Sequence, residues 1–99
     1  HARKELMFLR ADAFAVLPGG FGTLDEFFEI LTWGQIGLHD KPIVILDSDN
    51  YWAPLHALLD GVVDEGFASP TAHGLYQVAE SISALFALLE AAPEQLAAI

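Results

Sequence analysis

The sequence contains no cysteine, which excludes disulfides, thiolate metal sites and a cysteine nucleophile. It has no apolar run near the roughly 18 residues that a membrane-spanning helix needs, and its charged first residues are unlike a signal sequence. Lys and Arg number only 4 against 14 Asp and Glu, a formal net charge of −10. Because this charge repels phosphate backbones and anionic lipids, we expect no nucleic acid and no membrane as a partner. The lack of a membrane-length apolar run and of a signal-like start predicts a cytoplasmic location.

Metal-binding patterns and common nucleophile motifs are also missing. The 4 histidines are isolated from one another, without a second ligand at metal-binding spacing. Gly-x-Ser-x-Gly and His-Glu-x-x-His do not occur, so a nucleophile elbow and a zinc-protease helix have no support. Asp47-x-Asp49-Asn50 resembles the start of a calcium loop, but Tyr51 takes the next ligand position, which favours a turn. We therefore expect no metal site.

The chain length fits one domain with one core. We expect residues 1–99 to form a single α/β unit. An apolar content of 54% is high for this size and predicts apolar surface left for a partner. The sequence opens on His1 rather than Met, so we expect it to be part of a longer protein.

Short apolar runs alternate with helical patterns along the chain. Residues 13–17 and 43–46 are unbroken apolar runs and predict buried parallel strands, and residues 75–79 predict a short final strand. Helices are predicted over residues 1–10, 23–38, 52–65 and 81–91, the last capped by Ser81. This α-β-α-β-α-β-α order predicts a Rossmann-like parallel sheet flanked by helices.

The predicted helix 23–38 is apolar around most of its circumference. Thr23 is its expected N-cap and Gly37 its expected end, with Pro42 preventing further extension. Its apolar residues are Leu24, Phe27, Phe28, Ile30, Leu31, Trp33 and Ile36. Because a surface helix shows a single apolar stripe, we expect this helix to pack on its own sheet and on a second subunit, as in a homodimer.

A glycine turn, residues 18–22, joins the first predicted strand to this helix. Glycines at the start of a helix present several backbone N–H groups without side chains in the way, which suits a phosphate, although such turns also occur for structural reasons alone. The dinucleotide pattern G-x-G-x-x-G fails because Asp25 stands where the third glycine belongs, and a P-loop lysine is missing. Nicotinamide chemistry and nucleoside triphosphate hydrolysis therefore have no support.

Residues 18–26, Pro-Gly-Gly-Phe-Gly-Thr-Leu-Asp-Glu, match the signature P-G-G-x-G-T-x-x-E. In this stretch the chain resembles the LOG family, the cytokinin riboside 5′-monophosphate phosphoribohydrolases once labelled lysine decarboxylase-like. Arg3-Lys4 is similar to the pair that precedes the signature, since Glu26 follows Arg3 by 23 positions, and "LTWGQIGLHDKP" is similar to the stretch that follows it. The resemblance implies the C-terminal part of the family fold, without its N-terminal strands, and a homodimer with sites near the interface.

The resemblance also implies a reaction, which is hydrolysis of the N-glycosidic bond of nucleoside 5′-monophosphates, such as AMP and cytokinin riboside monophosphates. The expected catalytic residues are Glu26, to stabilise an oxocarbenium-like sugar or activate water, and Arg3, to orient Glu26 or assist departure of the base. The expected substrate-binding residues are Lys4, Gly19, Gly20, Gly22, Thr23 and Thr32. No cofactor is expected, since pyridoxal phosphate would need a Schiff-base lysine and the candidates are Lys4 and Lys41.

Three alternatives stay open at this point. The first is a non-catalytic nucleotide or cofactor carrier on the same fold, because fold alone does not fix function. The second is a structural domain that binds no ligand. The third concerns Glu26 alone: Thr23-x-x-Glu26 is also a capping box, in which both side chains would serve only to begin the helix.

Overall fold

The computed structural model describes residues 2–89 and 94–99, with residues 2–4 described by their backbone alone. The helices are α1 (Ala2–Arg10), α2 (Phe21–Gln35), α3 (Ala53–Asp64) and α4 (Ile82–Leu88). The strands are β1 (Ala13–Val16), β2 (Ile43–Leu46), β3 (Gln77–Ala79) and β4 (Leu96–Ala98), with 3₁₀ turns at Ser48–Asn50 and Pro70–Leu75.

The four strands form one parallel sheet in the order β3-β2-β1-β4. Phe14 of the central strand β1 lies opposite Ile43 on one side and Ala97 on the other. All residues of β1 and β2 are buried, as unbroken apolar runs predict for strands covered on both faces. The predicted α/β, Rossmann-like class is confirmed.

Alternate residues of the strands build two apolar clusters, one on each face of the sheet. On one face, Phe14 and Ile45 pack with residues of α1, α2 and α3. On the other, Ala15 and Val44 pack with Leu85 of α4. Right-handed crossovers explain this division: the chain moves from β1 to β3 in one direction and returns to β4 in the other, which reverses the face of the connecting helix.

The prediction that the third strand is the last one is wrong. β4 follows it and pairs with the remaining edge of β1, where Ile99 N–H donates to the Ala15 carbonyl at 2.9 Å and Leu17 N–H donates to the Ile99 carbonyl at 2.8 Å. The strand sequence Leu-Ala-Ala has no alternation and little β-propensity, so only the open edge of β1 makes it a strand.

The prediction that Thr23 caps α2 is also wrong. The helix begins at Phe21 with Gly20 as N-cap, and its first i→i−4 bond runs from Leu24 N–H to the Gly20 carbonyl at 3.1 Å. Thr23 is therefore the third helical residue, and Thr23-x-x-Glu26 is not a capping box. A glycine N-cap needs no side-chain oxygen, so the polar pattern placed the start of the helix too late.

The other boundaries agree with the sequence to within a few residues. α2 ends in a Schellman motif, in which Leu38 N–H donates to the Trp33 carbonyl at 2.9 Å and Gly37 takes a φ of +84°. Ser81 caps α4 as predicted, since its Oγ accepts from Ala84 N–H at 3.0 Å. Residues 90 and 91, which the sequence assigns to the same helix, lie outside the described residues.

Candidate active site

The helices α1 and α2 both begin at the carboxyl edge of the sheet. The C-terminal parts of both helices are held from the opposite, amino edge. For α1, Lys41 Nζ donates to the Phe8 and Leu9 carbonyls at 2.9 and 3.0 Å. His39 accepts from Lys41 N–H through Nδ1 and donates through Nε2 to the Ile30 carbonyl of α2. Consequently, the backbone of the Arg3-Lys4 pair and the glycine turn lie at the same edge of the sheet.

In the glycine turn, Gly19 and Gly20 have different roles. A Cβ on Gly19 would lie 2.3 Å from Thr23 Oγ1, so this glycine leaves the space that the threonine side chain occupies. Among the described residues, no atom other than those of chain neighbours and of the helix's own backbone lies within 4 Å of the position that a Cβ on Gly20 or Gly22 would take. Because the helical bonds begin at Leu24, the N–H groups of residues 20–23 have no partner within the helix and border this open space.

Glu26 is half-buried on the side of α2 that faces α1, whereas its neighbour Asp25 is exposed. The facing side is identified by Trp33, which lies seven residues after Glu26 on the same helix face and packs edge-on against Phe8 of α1 at 5.7 Å. Position 4 lies one turn before Phe8 in α1. The backbone of Arg3 and Lys4 thus runs beside the Glu26 face, while their side chains lie outside the described residues.

A second support for the site comes from the loop after β2, where the sequence predicts a turn at the carboxyl end of a strand. Tyr51 Oη donates to the Gly19 carbonyl at 2.5 Å, and so links this loop to the glycine turn. Asp47 is buried at the end of β2, where its Oδ1 accepts from Trp52 N–H at 2.9 Å and its Oδ2 lies 3.0 Å from His56 Nε2. In the sequence, Asp47 directly after a buried strand indicates a polar residue at the carboxyl edge. No feature of the sequence indicates the contact of Tyr51 with the glycine turn.

Thr32, the remaining predicted substrate-binding residue, lies in a different place. It lines an apolar groove of about 200 Å³ between α2 and α3, away from the glycine turn. It is ten residues beyond Gly22, which corresponds to about 15 Å of helix. The groove of about 550 Å³ beside the glycine turn is lined by Gly19, Gly20, Phe21, Leu24, Tyr51, Trp52, Pro54, Leu55 and Leu58. The site of one chain therefore brings together the glycine turn, Thr23 and Tyr51, but not Thr32.

Comparison with known proteins decides the family. The family model described as "possible lysine decarboxylase" matches residues 1–89. The LOG3 cytokinin riboside 5′-monophosphate phosphoribohydrolase of Arabidopsis thaliana is 46% identical over 90 residues, which cover 91% of this chain and 42% of the relative. This chain belongs to the LOG family.

Other LOG proteins agree with this assignment. The probable cytokinin riboside 5′-monophosphate phosphoribohydrolase LOG6 of Arabidopsis thaliana is 46% identical, over 91% of this chain and 45% of the relative. The probable phosphoribohydrolase LOGL2 of Oryza sativa subsp. japonica is 43% identical, over 91% of this chain and 37% of the relative. The chain therefore spans less than half the length of these LOG relatives.

The position of Lys41 does not support the decarboxylase description for this LOG chain. Lys41 Nζ is bonded to two carbonyls at the amino edge, remote from the glycine turn, and it also lies 6.0 Å from the ring centre of Phe14. Lys4 belongs to the Arg3-Lys4 pair at the carboxyl edge, with its side chain outside the described residues.

Among the helices that the structure describes, none is long and apolar enough to cross a bilayer.

Proposed function

We propose that the protein hydrolyses the N-glycosidic bond of nucleoside 5′-monophosphates, releasing the free base and ribose 5-phosphate. The observation that carries the proposal is the pairing of two features at the carboxyl edge, namely a glycine turn whose N–H groups at residues 20–23 have no partner within the helix, and the half-buried residue Glu26 beside it. The LOG relatives are named as cytokinin riboside 5′-monophosphate phosphoribohydrolases, which supports the same reaction.

The spacing between turn and carboxylate suits a substrate with a phosphate at one end and a sugar beside it. The N–H groups of residues 20–23 and the Thr23 hydroxyl would hold the 5′-phosphate. Glu26 lies six residues beyond Gly20, or about 9 Å along the helix. Its carboxylate would therefore be next to the sugar rather than on the phosphate, which it would repel.

The chemistry follows from the charge that develops when the bond breaks. Loss of the base leaves an oxocarbenium-like sugar, and a carboxylate beside C1′ stabilises that cation more than the neutral ground state. We assign this role, or the activation of water, to Glu26. Arg3 would orient Glu26 or assist departure of the base, and Lys4, Gly19, Gly20, Gly22 and Thr23 would bind substrate.

The reaction should need neither metal nor cofactor. We expect the complete protein to release adenine from AMP at the same rate before and after treatment with a chelator, as measured by chromatography. The reason is that Glu26 and the backbone N–H groups supply the charge stabilisation themselves. Release that chelation abolishes, with recovery on adding a divalent cation, would contradict this expectation.

A nucleotide carrier is the alternative function. The same N–H groups would bind AMP without cleaving it, and the capping box that gave Glu26 a purely structural role is absent. Because a half-buried carboxylate near the ligand is unfavourable for simple anion binding, Glu26 favours the enzyme.

We also propose a homodimer through α2 and the turn that follows it. Phe21, Phe28, Ile36 and Leu38 are 91, 37, 64 and 68% exposed on this part of the chain. An interface here offers Thr32 a route to substrate held by a second copy.

We propose that the protein is located in the cytoplasm, since a cysteine-free chain gains nothing from an oxidising compartment.

Light scattering at micromolar concentration should give twice the protomer mass. Ile36→Glu should shift the protein towards monomer, because it places a charge in an apolar interface. Phe67→Glu is the matched control, since Phe67 is 87% exposed outside α2 and should leave the dimer intact. A monomer mass for the unmodified protein would overturn the dimer proposal.

A further inference from the structure

Tyr51 makes a contact that neither the family signature nor the proposed chemistry uses. Its hydroxyl donates to the carbonyl oxygen of Gly19, 32 residues earlier in the chain. Gly19 and Gly20 share the peptide bond at the start of the glycine turn, and that bond is trans. In a trans peptide the carbonyl and the N–H point in opposite directions. A hydrogen bond that fixes the Gly19 carbonyl towards Tyr51 therefore turns the Gly20 N–H away from Tyr51.

A peptide between two glycines needs such a restraint. Neither residue has a Cβ, so rotation of the peptide plane meets less steric resistance here than elsewhere in the chain. In the part of the chain that the structure describes, no atom apart from those of the chain neighbours lies within 4 Å of the position of a Cβ on Gly20. If the plane turned over, the Gly19 carbonyl would take the place of the Gly20 N–H, and a phosphate would meet an oxygen in place of a donor.

The loop that carries Tyr51 is built to hold the ring in place. Asp49 and Asn50 have φ values of +54° and +57°, a left-handed conformation that is costly for residues with a Cβ. The Tyr51 N–H closes this turn on the Ser48 carbonyl at 3.1 Å. The Tyr51 ring then packs edge-on against Trp52 at 4.9 Å, and the Trp52 backbone is bonded to buried Asp47. This strained turn is therefore anchored on both sides, and it directs the hydroxyl at Gly19.

We propose that Tyr51 is a positioning residue for phosphate, because its hydroxyl holds the Gly19–Gly20 peptide with the Gly20 N–H facing the anion. This inference rests on the proposed function, since it takes the glycine turn to be the phosphate site. Tyr51 acts through the peptide, so it affects how tightly the phosphate is held in substrate and transition state alike. Such uniform binding changes KM and leaves kcat unaltered.

The test is Tyr51→Phe in the complete protein, with Tyr76→Phe as the matched control. Tyr51 is 52% exposed, so loss of its hydroxyl leaves the ring packing and the fold in place. The Tyr76 hydroxyl faces His73 at 3.4 Å, and Tyr76 lines none of the groove beside the glycine turn. We expect Tyr51→Phe to raise KM for AMP by about three- to tenfold, the usual effect of one hydrogen bond, with kcat unchanged and a cooperative unfolding transition retained. Tyr76→Phe should leave KM unchanged.

A second readout does not depend on turnover. Titration of inorganic phosphate should shift the backbone amide resonance of Gly20 in the unmodified protein, and Tyr51→Phe should require several times more phosphate for the same shift. Equal phosphate affinity in the two proteins, or a fall in kcat without a rise in KM, would overturn the role of Tyr51. An unmodified protein that binds phosphate without cleaving AMP would contradict the proposed reaction and leave the binding comparison decisive for Tyr51. An unmodified protein that binds no phosphate would overturn the role of Tyr51, whereas the proposed reaction would still be decided by the release of adenine from AMP.

Discussion

Glu26→Gln should lower kcat for AMP hydrolysis by on the order of a hundredfold or more. The substitution keeps the size and shape of the side chain but removes the negative charge that stabilises the oxocarbenium-like sugar. KM for AMP should stay the same or fall, because one negative charge near the phosphate is gone. Steady-state kinetics, with adenine measured by chromatography, gives both parameters.

The fold should tolerate this change. Glu26 lies beyond the first turn of α2, where a charge gains little from the helix dipole, and it is not part of a capping box. We therefore expect the free energy of unfolding to change by less than about 1 kcal/mol. Asp25→Asn is the matched control, since it removes the same charge from the neighbouring exposed position and should leave kcat within a few fold. Unchanged turnover in folded Glu26→Gln protein would show that Glu26 is not the catalytic carboxylate.

Gly19→Ala should lower the free energy of unfolding by about 1–3 kcal/mol, the usual cost of overpacking. The new Cβ would lie 2.3 Å from Thr23 Oγ1 and 3.0 Å from Thr23 Cβ, so rotating the hydroxyl away relieves only part of the clash. The turn must shift to accommodate the methyl group, and phosphate binding should weaken with it. Urea unfolding and titration of phosphate measure the two effects.

Gly22→Ala provides the control within the same turn. Apart from its own helix backbone, a Cβ at Gly22 meets no atom of the described residues within 4 Å, and the residue is already helical, so alanine should preserve or raise stability. The double variant Gly19→Ala/Thr23→Ala removes the closer of the two contacts and should recover part of the loss. If Gly19→Ala were as stable as the unmodified protein, the packing of Thr23 over Gly19 would not be what requires this glycine.

Local patterns were sufficient to predict most of the fold. The apolar runs of β1 and β2 identify strands buried on both faces, and the alternation of strands with helices identifies the parallel sheet. The strand Leu96–Ala98 could not be predicted because its three residues show no alternation of polar and apolar side chains. They form a strand only through their pairing with β1. The predicted start of α2 was wrong because Thr23 is a residue type that often forms an N-cap, whereas the N-cap in the structure is Gly20.

The candidate site divides in a similar way. The glycine turn and Glu26 could be predicted because their residues are close in the chain and form a motif. Tyr51 could not, since its contact with Gly19 depends on two left-handed residues and on a sheet that brings β1 and β2 side by side. For Thr32, the helix geometry places the residue too far along α2 for the glycine turn of its own chain. Arg3 and Lys4 remain predictions, as their side chains lie outside the described residues.

The most direct test of catalysis by this site is to count products per protein molecule. A small amount of the complete protein is incubated with excess AMP, and AMP, adenine and ribose 5-phosphate are quantified together by chromatography. An enzyme of the proposed type should release many equivalents of adenine per protein, with an equal amount of ribose 5-phosphate. AMP that is bound and recovered intact, or adenosine released with inorganic phosphate, would contradict it.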